Sequence, residues 1–411
     1  MSEFSSFERY LARVLSRFPY LKKISKYLYT RISFVRYRKK RNVYLNMPVE
    51  AILEDGQSFF GYYDKSPESG TGQILVHSTR QTTQKTPKHD IPIDVVLLCP
   101  KKRELLRVAT NAYNWQQGAR LQWLTDDLFA FNDFDNGAYV ARLFSATKLA
   151  QVAKFPLPIQ DGWKDEFFLS INYERLNALR PDYGYRNKPL LSRSELENTD
   201  NDGIWKCNMA SSESRLIISL KKLADDIDKE DALHKINHVS ISPDGSCFIF
   251  LHRYLIKGRR HDRLCFSTVD GRHIKVLSDF GMVSHYCWLN PWELLCFLRG
   301  PNGQDGYWKI DVNNGKFSHL DVCQGLGDGH PSCSGNLVVT DSYPNKSRMQ
   351  DLVLFDHENL KEQHLGSFFH SFKFSDETRC DLHPRFSKNG KHIYFDSVFE
   401  GRRKLYRISL D

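Results

Sequence analysis

The chain reads as all-β: a seven-bladed β-propeller with an N-terminal basic amphipathic helical arm. Three observations lead there. From residue 43 onward, short apolar runs of strand length alternate with turns rich in Gly, Pro, Asn and Asp. Helical periodicity is scarce after the first forty residues. Four histidines also recur at one register of a repeated unit. They are His238 in HVSISPDGSCFIFLHR, His285 in HYCWLNPWELLCFLR, His330 in HPSCSGNLVVTDSYP and His383 in HPRFSKNGKHIYFDS. Their separations of 47, 45 and 53 residues match the period of a propeller blade.

Residues 1–41 form the arm and 42–411 the propeller. Within the arm, residues 6–40 carry one or two amphipathic helices. Phe7, Leu11, Val14, Leu15 and Phe18 share one face. After Pro19, Leu21, Ile24, Leu28, Ile32 and Val35 do the same. Twelve Lys or Arg stand against two acidic residues in this stretch, so the arm accounts for the whole net charge of +9.

The blades follow in order. Blade one starts near GYYDKSPESGTGQILVHSTR (61–80) and includes DVVLLCP. Blade two is ARLQWLTDDLFAFND (119–133) with GAYVARLFS. Blade three runs from EFFLSINY (166–173) to GIWKCNM and SRLIISL, interrupted by a long polar insertion at 174–202. Insertions of that length in compact folds are commonly functional or mobile. Blades four, five and six start at His238, His285 and His330. Blade seven, HPRFSKNGKHIYFDSVFEGRRKLYRISL, is one strand short, and 42–55 is expected to supply that strand. Pairing the two ends closes the ring and removes exposed edges.

The near-neutral body excludes a general nucleic-acid-binding surface, so no nucleic-acid partner is expected. Nine cysteines, an odd number without a CxxC pair, point to reduced thiols and a cytoplasmic location. No apolar run reaches signal-peptide or spanning length. The arm has two readings: an anchor on an anionic membrane surface, peripheral to the inner membrane, or a helix packed on the propeller with its charges in water. There is no Gly-rich phosphate loop, no GxSxG elbow and no strand–helix alternation, which argues against nucleotide-sugar transfer.

A propeller brings equivalent positions of every blade to one ring around its channel. Tyr62 and Arg120 take the histidine position in blades one and two. A second polar set ends the next strand of most blades: His77, Asn132 with Asp133, Asn172, His252 with Arg253, Arg299, Asp341 and Asp396. Two readings apply to both sets. They line a wet channel, or they tie one blade to the next through backbone groups. Clustered imidazoles serve either as metal ligands or in proton transfer near neutrality. Asp381, two residues before His383, can join them. Arg120 and Arg253 are candidate two-point clamps for a carboxylate. Trp115, Tyr183, Tyr185 and Tyr343 offer faces that stack on sugars, whereas Trp123 and Trp288 read as core.

The motifs NHVSISPDGSCFIFLHR, MVSHYCW, GDGHPS and RCDLHPRFSKNGKHIYFDS resemble those of oligogalacturonate lyase and its propeller relatives over residues 230–411. The resemblance implies a seven-bladed propeller that cleaves oligouronides by β-elimination with a divalent metal, typically manganese. It also implies that His238 is the base and that His285 is a metal ligand. The family's Gln-x-x-His-x-His pattern corresponds here to Thr378–His383. One histidine is kept, Asp381 replaces the other, and the glutamine is absent. GYYDKSP, NWQQG and RCDLHP are similar to motifs in bacterial propellers of surface-polysaccharide gene clusters. The expected partner is therefore an acidic oligo- or polysaccharide. The expected residues are His238 as base, Tyr62, Tyr343 or another histidine as acid, Arg120 and Arg253 as clamps, and His285, His330, Asp381 and His383 as metal ligands. The alternative is a non-catalytic propeller that binds glycan or protein in surface-polysaccharide biosynthesis.

Overall fold

A computed structural model describes residues 19–38, 44–225, 227 and 231–410. Seven antiparallel sheets follow one another along the chain and form the blades of a β-propeller. The innermost strands are Gln57–Phe59, Gln122–Trp123, Asp161–Trp163, Leu233–Ile241, Val283–Asn290, Ser332–Ser334 and Arg385–Phe386. Each blade packs between two others, so its second strand is apolar on both faces. In Cys247–Ile256 the first seven residues, CFIFLHR, are all buried. The core lies between blades, where aromatic and aliphatic side chains such as Phe59, Leu75, Phe129 and Phe131 exclude water completely. Each such side chain contributes roughly 1.5–3 kcal/mol by burial.

The ring is stitched at two places. Val49–Ala51 pairs antiparallel with Lys404–Ser409 and closes blade seven. Tyr44–Leu45 adds a fifth strand to blade six beside Glu362–Phe369, a contact the blade count did not suggest. A buried ion pair reinforces the seam. Asp396 accepts from the amides of Phe60 and Gly61 at 2.9 and 3.0 Å. Arg385 donates to Asp396 at 2.9 Å and to the carbonyls of Gly61 and Tyr62 at 2.9 and 3.0 Å.

The second polar set is explained by latches of this kind. His77 donates to the carbonyl of Phe60 and accepts from the amide of Ala119 at 3.1 Å, joining blade one to blade two. The Asn132 amide group brackets Ile159 at 2.6 and 2.8 Å, joining two to three. Asp161 accepts from Ile241 at 2.7 Å, joining three to four. Asn172 instead caps a helix. Arg299 pairs with Asp305 at an exposed edge. His77, Asn132 and Asp396 thus act as ties, because the backbone of the next blade needs them as partners.

Helix α1 (Pro19–Tyr37) rests on blade six. Phe34 packs against Phe369 and Phe372 with ring centroids 6.2 and 5.4 Å apart, and Ser33 is buried. The expected apolar positions Phe7, Leu11, Val14, Leu15 and Phe18 lie outside the described residues. No described helix is long and apolar enough to cross a membrane. The insertion contains helices α2 (Tyr173–Leu179) and α3 (Arg193–Glu197). Arg175 holds it down through Asp202 and the carbonyls of Leu196 and Asn198. All nine cysteines are free thiols.

Candidate metal centre and active site

The four histidines meet. The His285 and His330 rings lie 4.0 Å apart, His330 and His383 4.3 Å, and His238 and His285 5.8 Å. Tyr62 stands among them, stacked on His238 at 5.0 Å and edge-on to His383 at 5.1 Å. Tyr63 stands beside it, 5.4 Å from His330. All six side chains are buried.

Local backbone aims them. The first strand of blade four slips register between Asn237 and Ser240, and His238 there has φ +53°. His383 and Arg120 hold similar left-handed conformations at +45° and +53°. In blade one the turn falls a residue earlier, at Gly61 with φ +112°. A Cβ at Gly61 would meet the Gln117 backbone at 2.7 Å, so only glycine fits. Non-glycine residues held in this region cluster at functional sites.

Among the described residues, one group has metal-ligand spacing: His330, Asp381 and His383, with ligand atoms within 4.8 Å of one another. The imidazoles are set for it. His330 Nδ1 donates to Asp341 Oδ1 at 2.8 Å, and His383 Nδ1 donates to the Gly61 carbonyl at 2.8 Å. That leaves Nε2 of each ring with a lone pair, and both Nε2 atoms are buried without a partner. Metal-ligating histidines are oriented by the same kind of outer partner. Asp341 also accepts from the amides of His330 and His383 at 2.8 and 3.1 Å, so one carboxylate fixes both ligands. Asp381 is held by Arg379 through two bonds of 2.7 Å. The residues present fit a divalent cation.

His285 stands beside this trio rather than within it. Its Nδ1 faces Asp328 at 3.2 Å and Ser284 at 3.0 Å. Asp328 is the aspartate of the motif GDGHPS, in which the sequence assigns a role to His330 alone. Its position two residues before His330 was the available signal.

Charge follows from these contacts. Burial holds His238 well below the ordinary imidazole range, helped by Arg253 and by His285. Burial and His330 do the same to His383. Burial opposes protonation of His330, but Asp341 and other carboxylates outweigh it and raise its pKa. Burial pushes Asp381 up, but Arg379 outweighs it and keeps the carboxylate ionised. Burial keeps the Tyr62 hydroxyl protonated far above its usual range. That hydroxyl lies 2.6 Å from His238 Nδ1.

The two expected clamps are engaged elsewhere. Arg120 forms a two-point pair with Asp64 at 3.1 and 2.8 Å and donates to the Gln160 carbonyl. Arg253 lies 3.0 Å from Asp262 and donates to the Val283 carbonyl at 2.9 Å. Buried guanidiniums need such partners; both arms of the Arg120 fork are engaged, while Arg253 Nε is buried without a hydrogen bond. Trp123 and Trp288 pack in the blade cores and donate to backbone carbonyls. Tyr183, from the insertion, reaches His238 at 5.2 Å, and Tyr343 reaches His330 at 5.6 Å. Beyond Asp328 and Tyr343 a cavity of about 450 Å³ opens between blades five and six and α1, with Arg348 in its wall.

A scan of protein-family models finds no match. A search of curated proteins finds none either. Solved structures do match. The fold is similar to an oligogalacturonate lyase in complex with manganese, with a TM-score of 0.61 and 15% identity, covering 90% of this chain and 96% of that one. The oligogalacturonate lyase of Vibrio parahaemolyticus gives 0.57 and 14%, covering 90% and 96%. The propeller domain of the Trilobed protease from Pyrococcus furiosus gives 0.51 and 8%, covering 85% and 96%. The chain is thus a seven-bladed propeller. Oligogalacturonate lyases are among its structural neighbours, and at these identities the likeness is one of fold.

Proposed function

We propose that the chain cleaves an acidic oligo- or polysaccharide by metal-assisted β-elimination. One observation carries the reading: two buried imidazoles with unpartnered Nε2 atoms converge with Asp381, one ring away from a neutral histidine paired to a tyrosine. His330, Asp381 and His383 would hold the cation, and manganese is the choice the neighbouring lyase favours. A divalent cation bound there supplies Lewis-acid stabilisation to the carboxylate of a uronic acid.

The chain's own groups do the rest. His238 stays neutral and can take the proton beside the carboxylate; its Nδ1 and Nε2 lie 2.6 and 3.1 Å from the Tyr62 oxygen. Tyr62 keeps its proton and can give it to the departing sugar oxygen. His285, held by Asp328, lies between His238 and His330. Tyr183 and Tyr343 offer ring faces to the sugars on either side.

The test uses purified full-length protein loaded with Mn²⁺ and a panel of uronide oligomers. The reading expects bound metal and ultraviolet absorbance from a new C=C bond. Glycan binding without any product across the panel would favour the non-catalytic alternative. Neither metal nor product would overturn the proposal.

A further inference from the structure

Helix α1 has two faces of opposite character. One face docks: Ser33 is buried, Phe34 meets Phe369 and Phe372, and Tyr29, Thr30 and Ser33 wall the cavity that reaches Asp328 and Tyr343. The other face carries Ile24, Leu28, Ile32 and Val35, which are 40%, 52%, 68% and 61% exposed. Steps of four, four and three residues put these on one stripe, opposite the docked face. Nothing in the described residues covers that stripe. Arg31 and Arg36 flank it, both exposed and without an acidic partner among the described residues. Twelve basic residues in positions 1–42 surround it in sequence, against two acidic ones. An apolar helical stripe bordered by cations is the signature of a helix that lies in the headgroup region of an anionic bilayer.

We propose that α1 seats the propeller on an anionic membrane through Ile24, Leu28, Ile32 and Val35. The charge balance of the arm selects the occupant, since a neutral apolar partner has no use for the surrounding cations. The cavity that reaches Asp328 and Tyr343 lies under the other face of the same helix, so it stands about one helix diameter, roughly 10 Å, from the headgroups. In this arrangement the substrate is an acidic glycan attached to a lipid in that membrane. This last step rests on the proposed function, whereas the seating itself does not.

The test is co-sedimentation of the full-length protein with phosphatidylcholine vesicles, with and without phosphatidylglycerol. The wild type is expected to pellet with the anionic vesicles and to be released by salt. The double substitution Ile32→Glu, Val35→Glu changes only exposed positions, so its thermal melt should match the wild type. It should weaken vesicle binding by roughly tenfold or more. Equal binding to neutral vesicles, no binding to anionic ones, or an unaffected double variant would overturn the seating. So would a dimer that the double variant converts to monomer, because a second copy would then cover the stripe. On oligogalacturonate tethered to lipid in the same vesicles, wild-type turnover should exceed that on free oligomer, and the variant should lose the excess. Equal turnover on the two substrates would overturn the orientation. Loss of all turnover with vesicle binding intact would instead refute the lyase reading.

Discussion

Asp341→Asn tests the candidate metal centre without touching a proposed ligand. Asp341 is buried and accepts three bonds: two at Oδ1 from His330 and one at Oδ2 from the amide of His383. Asparagine keeps one oxygen and turns an NH₂ group toward the His383 N–H. One charge-assisted bond is lost and two donors are opposed, at a cost of about 1.5–3 kcal/mol in stability. The remaining bond to His330 Nδ1 becomes neutral, so the ring is less basic and less fixed. Loss of such an outer partner weakens metal binding roughly 10–100-fold, or about 1.4–2.7 kcal/mol. Calorimetric titration of metal-stripped protein with Mn²⁺ reads the affinity, and denaturant melts of the same sample read the stability. A variant that binds Mn²⁺ as tightly as the wild type would show that Asp341 only latches blade six to blade seven.

Three other outcomes follow from the same contacts. Tyr62→Phe removes the hydroxyl that faces His238, so turnover on uronides should fall roughly 10²–10⁴-fold with metal content unchanged; turnover at the wild-type rate would remove Tyr62 from the chemistry. Asp396→Ala leaves Arg385 buried without its carboxylate and frees the amides of Phe60 and Gly61, so denaturant unfolding should show a loss of about 3–5 kcal/mol. Acid should unfold the chain early. Burial lowers His77 and His234 to about 4, and His252 and His370 to about 3. Below pH ~6.5 the unfolded chain therefore binds protons that the folded chain refuses, and stability falls as pH falls. Between pH ~6.5 and ~5.5 each group removes about 1 kcal/mol. A melting temperature flat over that range would refute the assignment.

Much of the architecture was legible because a propeller repeats. The 47- and 45-residue spacings gave the blade length, and the apolar runs gave the strands. The convergence of His238, His285, His330 and His383 followed from the ring. Roles within the ring did not. Arg120 carries the right chemistry for a clamp, but Asp64 comes from a distant position in the chain and reaches it only in the fold, whereas Arg253 faces Asp262 across its own hairpin. The pairing of Asp341 with both His330 and His383 likewise needs blades six and seven side by side. The fifth strand of blade six was hidden because Tyr44–Leu45 is too short to give a period.

Backbone conformation differs between the two sets of polar residues. Residues that tie blades together at the end of the second strand, such as His77, Asn132, Asp341 and Asp396, do so from ordinary extended backbone. His238 and His383, by contrast, sit in the left-handed region, where a side chain with a Cβ costs about 1 kcal/mol or more. A tie between blades does not require that cost, since the neighbouring latches form without it. The left-handed turn is one route toward the axis and not the only one, since His285 and His330 reach the cluster without it. Arg120 shares the strain and is also turned inward, close to Tyr62, with its guanidinium 5.9 Å from that ring. Its pairing with Asp64 then fixes the segment that carries Tyr62 into the imidazole cluster. The strained positions therefore share one geometric result: they turn His238, His383 and Arg120 toward Tyr62 at the axis of the ring.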